Sequence, residues 1–406
     1  MTTGPSSATG PSSGLAPNAR SRRIEASATL SISARAAELA AQGHDVVSLG
    51  AGEPDAPTPA PIARAGIHAI ERGDYRYTAA AGTAALRRAG ARWFGTAFGL
   101  DYDHDEVMVC AGAKGALHMA LAAIVEPGDP VLLLAPYWVS YPALVSIAGG
   151  EPIVLPPVPE QGFVHDAAAI ERAAREHGCK GIVLNFPNNP SGAVATRAQM
   201  QAIVEAAIAT DMWILSDEIY ATLLYDGAEH ISPASLPGAR ERTIVVNGFT
   251  KSHTLTGWRV SFMAAPKPII EVCARIQSQV LGNPCTISQA AMLAACEQPL
   301  PEEHAMRMRQ FEERRAFLLH EINRIPGLRL QAPMGSFYAL VDIRQLCDER
   351  GIDDVAACEQ LLEQHLLAGV PGSAFAIPGF VRLSYAAAME QLEKGVDRLR
   401  AWAEQA

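Results

Sequence analysis

In Thr243-Ile244-Val245-Val246-Asn247-Gly248-Phe249-Thr250-Lys251-Ser252-His253, an apolar, β-branched run gives way to small, uncharged residues around one lysine. Such a run is a strand, and its end opens into a pocket. There the Lys251 amine is kept neutral and nucleophilic, able to form an imine with a carbonyl. A single loop lysine is ordinarily just solvated. Here motifs elsewhere in the chain converge on the same pocket.

Upstream, short β-rich runs alternate with longer Ala-rich stretches. The runs are 106–109, 131–134, 153–155, 181–185, 212–216 and 243–247, and the helical stretches include 114–124, 167–176 and 197–210. That alternation predicts an α/β fold with a mainly parallel sheet covered on both faces. Functional groups in such a sheet collect beyond the carboxyl ends of its strands, where Asn185, Asp217 and Lys251 fall. Residues 1–19, rich in Ser, Gly and Pro, read as a disordered tail without the apolar core of a signal peptide. Residues 20–47 form an arm and a helix packing with a smaller domain, and 48–300 form the large domain. A linking helix over 301–323 opens the small C-terminal domain, 301–406, in which 337–341, 353–366 and 381–384 read as strand, helix and strand.

Of the 406 residues, 49% are hydrophobic and 19% charged, enough apolar material for a sizeable core. The net charge of −10 argues against non-specific nucleic-acid binding and against an anionic membrane surface. No stretch is long and apolar enough for a transmembrane helix. Seven scattered cysteines without a CxxC pair fit reduced thiols in the cytoplasm better than disulfides or a metal site.

Four further segments carry chemistry. Asn185-Phe186-Pro187-Asn188-Asn189-Pro190-Ser191-Gly192 is either a tight turn or an array of amides for a polar ring substituent. Asp217, in Ser216-Asp217-Glu218-Ile219-Tyr220, is either a helix cap or a buried acid awaiting a cation such as a protonated heteroaromatic nitrogen. Gly112-Ala113-Lys114-Gly115 opens a helix whose free N–H groups suit a phosphate, with Arg259 as a partner. Arg382 interrupts the apolar strand Val381-Arg382-Leu383-Ser384-Tyr385. It reads either as an internal salt bridge or as a bidentate grip on a substrate carboxylate.

Together with Gly-Glu-Pro-Asp (52–55), Tyr-Thr (77–78), Pro-Tyr-Trp (136–138) and Pro-Gly-Ser-Ala-Phe (371–375), these segments resemble the fold-type I, class I aminotransferases dependent on pyridoxal 5'-phosphate. Within that class the chain is most similar to the bacterial-type aspartate and aspartate/prephenate enzymes. The resemblance runs from about Arg23 to the C-terminal region. It implies a seven-stranded, mainly parallel sheet flanked by helices and a homodimer in which Tyr77 reaches a phosphate in the neighbouring subunit. It also implies a site in which Lys251 forms the imine with the cofactor and shuttles the Cα proton. Asp217 then pairs with the ring nitrogen, Tyr220 and Asn189 bond the ring oxygen, and Trp138 stacks on the ring. Arg259, with the backbone around Ala113 and Lys114, holds the phosphate; Arg382 grips the α-carboxylate, with Gly52 beside it.

The implied reaction is ping-pong transfer between an amino acid and a 2-oxo acid, L-aspartate and 2-oxoglutarate foremost. The resemblance assigns the distal carboxylate to Lys114, with Ser27 and Thr29 on the N-terminal arm. In the other reading Lys114 only supports the phosphate and Ser27 caps the following helix. The segment 276–283, which in animal-type enzymes supplies an arginine, has none. Gly335-Ser336-Phe337-Tyr338 and Gly115 depart from the family's usual Gly-Ala-Phe-Tyr and Gln. Prephenate would need a further cation, for which Arg22 or Arg23 is a candidate. Three other functions compete: transamination of aromatic amino acids or alanine, a lyase on the same fold, and a ligand-sensing regulator. The regulator would need a binding module that the short polar tail does not supply.

Overall fold

A computed structural model of the chain describes residues 16, 17, 22, 24 and 27–405. Most of the predicted tail, and Arg23, lie outside them. The strands in chain order are β1 (Val47–Ser48), β2 (Val107–Cys110), β3 (Pro130–Leu134), β4 (Glu151–Leu155), β5 (Gly181–Asn185), β6 (Trp213–Asp217), β7 (Thr243–Asn247), β8 (Ser261–Ala264), β9 (Arg329–Leu330), β10 (Tyr338–Asp342), β11 (Leu367–Ala368), β12 (Val370–Pro371) and β13 (Phe380–Ser384).

Seven of them form one sheet in the order β2-β8-β7-β6-β5-β3-β4. From β7 to β4 every pairing is parallel. The central strands β5 and β7 are buried at every position, as a sheet covered on both faces requires, and only the edge strand β4 has exposed positions, Glu151 and Val154. β8 was not among the expected runs and pairs antiparallel with both β7 and β2. Ser261-Phe262-Met263-Ala264 is too short to give a periodic signal, and no crossover helix separates it from β7. A strand that returns without a crossover can only pair antiparallel. The return matters for the site, because the loop between β7 and β8 carries both Lys251 and Arg259.

Register then aligns the functional ends. Asn185 pairs with Asp217 across β5 and β6, and Lys251 follows the end of β7. Helices stand over the Ala-rich stretches and the expected linking segment, at Gly112–Ile124, Ala167–His177, Arg197–Ala209 and Pro301–Ile322. The Arg197 helix opens with a capping box between Thr196 and Gln199.

A second, antiparallel sheet, β12-β13-β10-β9, is built by the C-terminal region. The helix Pro301–Ile322 lays Phe311, Leu318 and Ile322 into its core with Phe337, Val381 and Trp402. The helix Ala28–Ala41 packs Ala36 and Leu39 against Leu362 and Ala368 of that same region. No helix among the described residues is long and apolar enough to cross a membrane.

Gly90 tests the packing of β8. It lies in the helix Ala84–Phe98, where an alanine would normally stabilise by about 1 kcal/mol. A Cβ there would stand 2.7 Å from the Phe262 ring. Gly90→Ala is therefore expected to destabilise the chain by about 1–3 kcal/mol in urea unfolding. A stabilised variant would show that this contact is loose.

Candidate functional site

All the site residues predicted above except Tyr77 line one cavity of about 240 Å³ at the carboxyl ends of the large sheet's strands. Tyr77 is 98% exposed on this chain, away from the cavity.

Lys251 Nζ donates to the Gly52 carbonyl at 2.6 Å. Burial lowers its pKa to about 8, with Arg382 and Arg259 lowering it further against the charge of Glu53. A minority of this amine, about one fifth, is thus neutral near physiological pH, far more than for an ordinary lysine. Asp217 closes the end of β6 and accepts the Tyr141 hydroxyl at Oδ2, 2.9 Å away, and the Ile219 N–H at Oδ1, 3.4 Å away. Burial pushes its pKa up to about 6, which the Tyr141 hydrogen bond partly opposes. No helix follows it, so the capping alternative fails: Asp217 is a buried acid.

The asparagine-rich turn is internally satisfied in a way that aims Asn189. Asn185 Nδ2 donates to the Asp217 carbonyl at 2.8 Å, and its Oδ1 accepts the Asn189 N–H at 2.9 Å. Asn188 accepts from the Ser191 hydroxyl and N–H and donates to the Pro136 carbonyl. Asn189 Oδ1 in turn accepts from Arg382 Nη1 at 2.9 Å.

Arg382 is buried, yet its partners are neutral: Asn189 and the Gly50 carbonyl, the latter at 2.6 Å. Its guanidinium is sandwiched by the rings of Tyr338 and Phe375, 4.5 and 4.8 Å away, and Nε has no partner. The internal salt bridge considered for it is not formed. A buried cation so arranged is open to an anion.

At the other end, Gly112 adopts φ +77°, and a Cβ on it would lie 2.5 Å from Arg259 Nη2. That close approach sets the guanidinium beside the first turn of the helix Gly112–Ile124, which has no side-chain cap. Free N–H groups with a guanidinium beside them are chemically able to take a phosphate. Lys114 stands 4.9 Å over the Trp138 ring, with its pKa lowered by burial and then by Arg259. Ser27 occupies the cap position of the helix Ala28–Ala41, but its side chain makes no capping bond.

Four cations, Lys114, Lys251, Arg259 and Arg382, thus line the cavity with Asp217 as the one acid among its lining residues. Sequence reading missed Tyr141 and treated Tyr338 only as part of a motif. Tyr338 reaches the Tyr220 hydroxyl at 2.9 Å. Neither carried a signal, because a tyrosine near an apolar run is ordinarily core.

A family model described as aminotransferase class I and II matches residues 44–399. The chain belongs to that family. This aminotransferase, a pyridoxal-phosphate-dependent transferase by family, is 39% identical to the aspartate aminotransferase of Geobacillus stearothermophilus, covering 93% of this chain and 96% of that one. It is 42% identical to a probable aspartate/prephenate aminotransferase of Thermus aquaticus, covering 93% and 97%. Among solved structures, it matches the Thermus thermophilus aspartate aminotransferase with maleate at a TM-score of 0.90 and 38% identity, over 96% of this chain and 100% of that one. The fold is that of the aspartate aminotransferases.

The raised pKa of Asp217 makes a stability prediction for the aminotransferase without ligand. Between pH 3.8 and about 6 the folded chain holds a proton on Asp217 that the unfolded chain releases. Stability therefore falls as pH rises through that window, by about 3 kcal/mol from this group. Denaturant unfolding of Asp217→Asn across the window should show a correspondingly flatter profile. An unchanged profile would show that Asp217 is not the group responsible.

Proposed function

We propose that the chain exchanges the amino group of L-aspartate with 2-oxoglutarate, giving oxaloacetate and L-glutamate, with pyridoxal 5'-phosphate held in the cavity described above. The observation that carries the reading is the set of four basic side chains, Lys114, Lys251, Arg259 and Arg382, around one buried acid, Asp217, with neither arginine paired to a carboxylate. A dicarboxylic amino acid and a phosphate are what such a charge pattern balances. The residues fit the cofactor: the uncapped helix start with Arg259 suits its phosphate, and the buried Asp217 suits a protonated ring nitrogen.

When bound, pyridoxal phosphate supplies a conjugated ring that accepts the electron pair left at the substrate Cα. Asp217 keeps the ring nitrogen protonated, and its own position is fixed by Tyr141. Tyr220 and Asn189 hold the ring oxygen, and Trp138 covers a ring face. Arg382 takes the α-carboxylate beside Gly52, which orients the Cα–H bond toward Lys251. The lysine amine, its pKa lowered by burial to about 8, removes that proton and returns it one position further along. Reversal with the 2-oxo acid completes a ping-pong cycle.

Lys114, with Ser27 and Thr29 across the same cavity, reads the distal carboxylate. The uncapped Ser27 hydroxyl supports this assignment. The full exposure of Tyr77 supports a homodimer in which this residue enters the neighbouring site. Seven unpaired cysteines fit the cytoplasm. The aspartate/prephenate name of the Thermus aquaticus relative favours prephenate as a second acceptor. Arg22, exposed on the arm, is the described candidate for the added cation.

The test is a half-reaction. The cofactor-loaded protein should lose its visible absorbance band on addition of L-aspartate alone and regain it with 2-oxoglutarate. Lys114→Ala should reduce kcat/KM for aspartate about 10- to 100-fold while sparing alanine. A band that responds to an aromatic amino acid or alanine but not to aspartate would keep the enzyme class and overturn the substrate.

A further inference from the structure

The buried Tyr220 and Tyr338 hydroxyls lie 2.9 Å apart, and either oxygen is chemically able to donate. Burial pushes both phenols above the ordinary tyrosine value, so each keeps its proton near neutral pH. Two protons therefore serve one shared hydrogen bond, and one of them must point elsewhere.

The surroundings decide which. The Tyr338 oxygen is closed in: a Cβ on Gly52 would stand 2.1 Å from it. Arg382, 4.5 Å over the Tyr338 ring, offers only donors. Among the described residues Tyr338 has no hydrogen-bond acceptor for its proton except the Tyr220 oxygen. Both tyrosines line the cavity, but Tyr338 is packed onto Gly52 and is 1% exposed against 4% for Tyr220, so it is the Tyr220 proton that a ligand oxygen can take.

We infer that Tyr338 is a positioning residue: its hydroxyl donates to the Tyr220 oxygen and turns the Tyr220 proton outward onto the ring oxygen of the bound cofactor. The inference rests on the role proposed above for Tyr220. A hydroxyl that accepts one hydrogen bond donates a stronger one, so Tyr338 also sharpens the donor it orients. Donation to the ring oxygen draws electron density from it and lowers the proton affinity of the nitrogen that shares its proton. Loss of donation therefore raises the midpoint of the cofactor's visible pH titration.

Spectrophotometric pH titration of the holoenzyme, without substrate, reads this directly in wild type, Tyr220→Phe, Tyr338→Phe and the double variant. Tyr220→Phe should raise the midpoint most. Tyr338→Phe should raise it by a few tenths of a pH unit, on the order expected for one cooperative hydrogen bond. In the Tyr220→Phe background, Tyr338→Phe should add nothing, because its path to the cofactor is gone. A midpoint unmoved by Tyr338→Phe alone, with Tyr220→Phe still effective, overturns the inference and leaves the role of Tyr220 standing. An equal effect of Tyr338→Phe in both backgrounds overturns it too, because the influence would bypass Tyr220. If Tyr220→Phe itself leaves the midpoint unchanged, the role of Tyr220 falls and the inference falls with it.

Discussion

The junction where Lys251 Nζ meets the Gly52 carbonyl is the constraint on which the site depends. It joins two segments distant in sequence, and a desolvated amine holds its place only while that acceptor stays fixed. Other bonds stitch the same two segments together. Thr58 donates to the Thr254 carbonyl, Trp258 donates to Thr58, and Thr256 bonds Glu53. The helix Pro301–Ile322 then clamps both. Arg314 forks onto Asp55 at 3.0 and 2.7 Å, and the buried Arg307 donates to the carbonyls of Ser252 and Pro57. The helix thus fixes the Lys251 segment and the Gly52 segment relative to each other at the cavity wall.

Electrostatics divides the site along its length. Arg259 and Lys114 crowd one end and Arg382 the other, with Lys251 between them and Asp217 deep in the sheet. Each cation is bonded to neutral oxygens or laid over rings rather than neutralised by a carboxylate. Such a site is costly when empty and favourable when anions arrive at both ends. The depressed pKa of Lys251 follows from the same crowding: the amine gives up its proton because burial and two guanidinium groups disfavour a further charge.

The parallel core was legible because β5 and β7 are uninterrupted apolar runs whose ends coincide with Asn185 and Asn247. The site was legible where a polar residue broke an apolar pattern, as Asp217 and Arg382 do. β8 was hidden because four residues carry no period and its pairing is settled by neighbours far off in sequence. Tyr141 and Tyr338 were hidden for a related reason. Their roles depend on which hydroxyl lies within reach of which oxygen, and that is a property of the packed fold rather than of local pattern. The choice between a cap and a cavity wall for Ser27 likewise needed the absence of a capping bond.

The antiparallel return of β8 has a dynamic meaning. The loop that holds Lys251 and Arg259 leaves one fully buried strand and re-enters another beside it, so both of its ends are bolted to the same ladder. Elsewhere in such sheets, a functional loop leads into a helix that can fray by itself. Here both anchors lie on adjacent buried strands, so the ends of the loop belong to the same cooperative unit as the large sheet. The amine and the guanidinium therefore share one loop whose two anchors move only with the sheet.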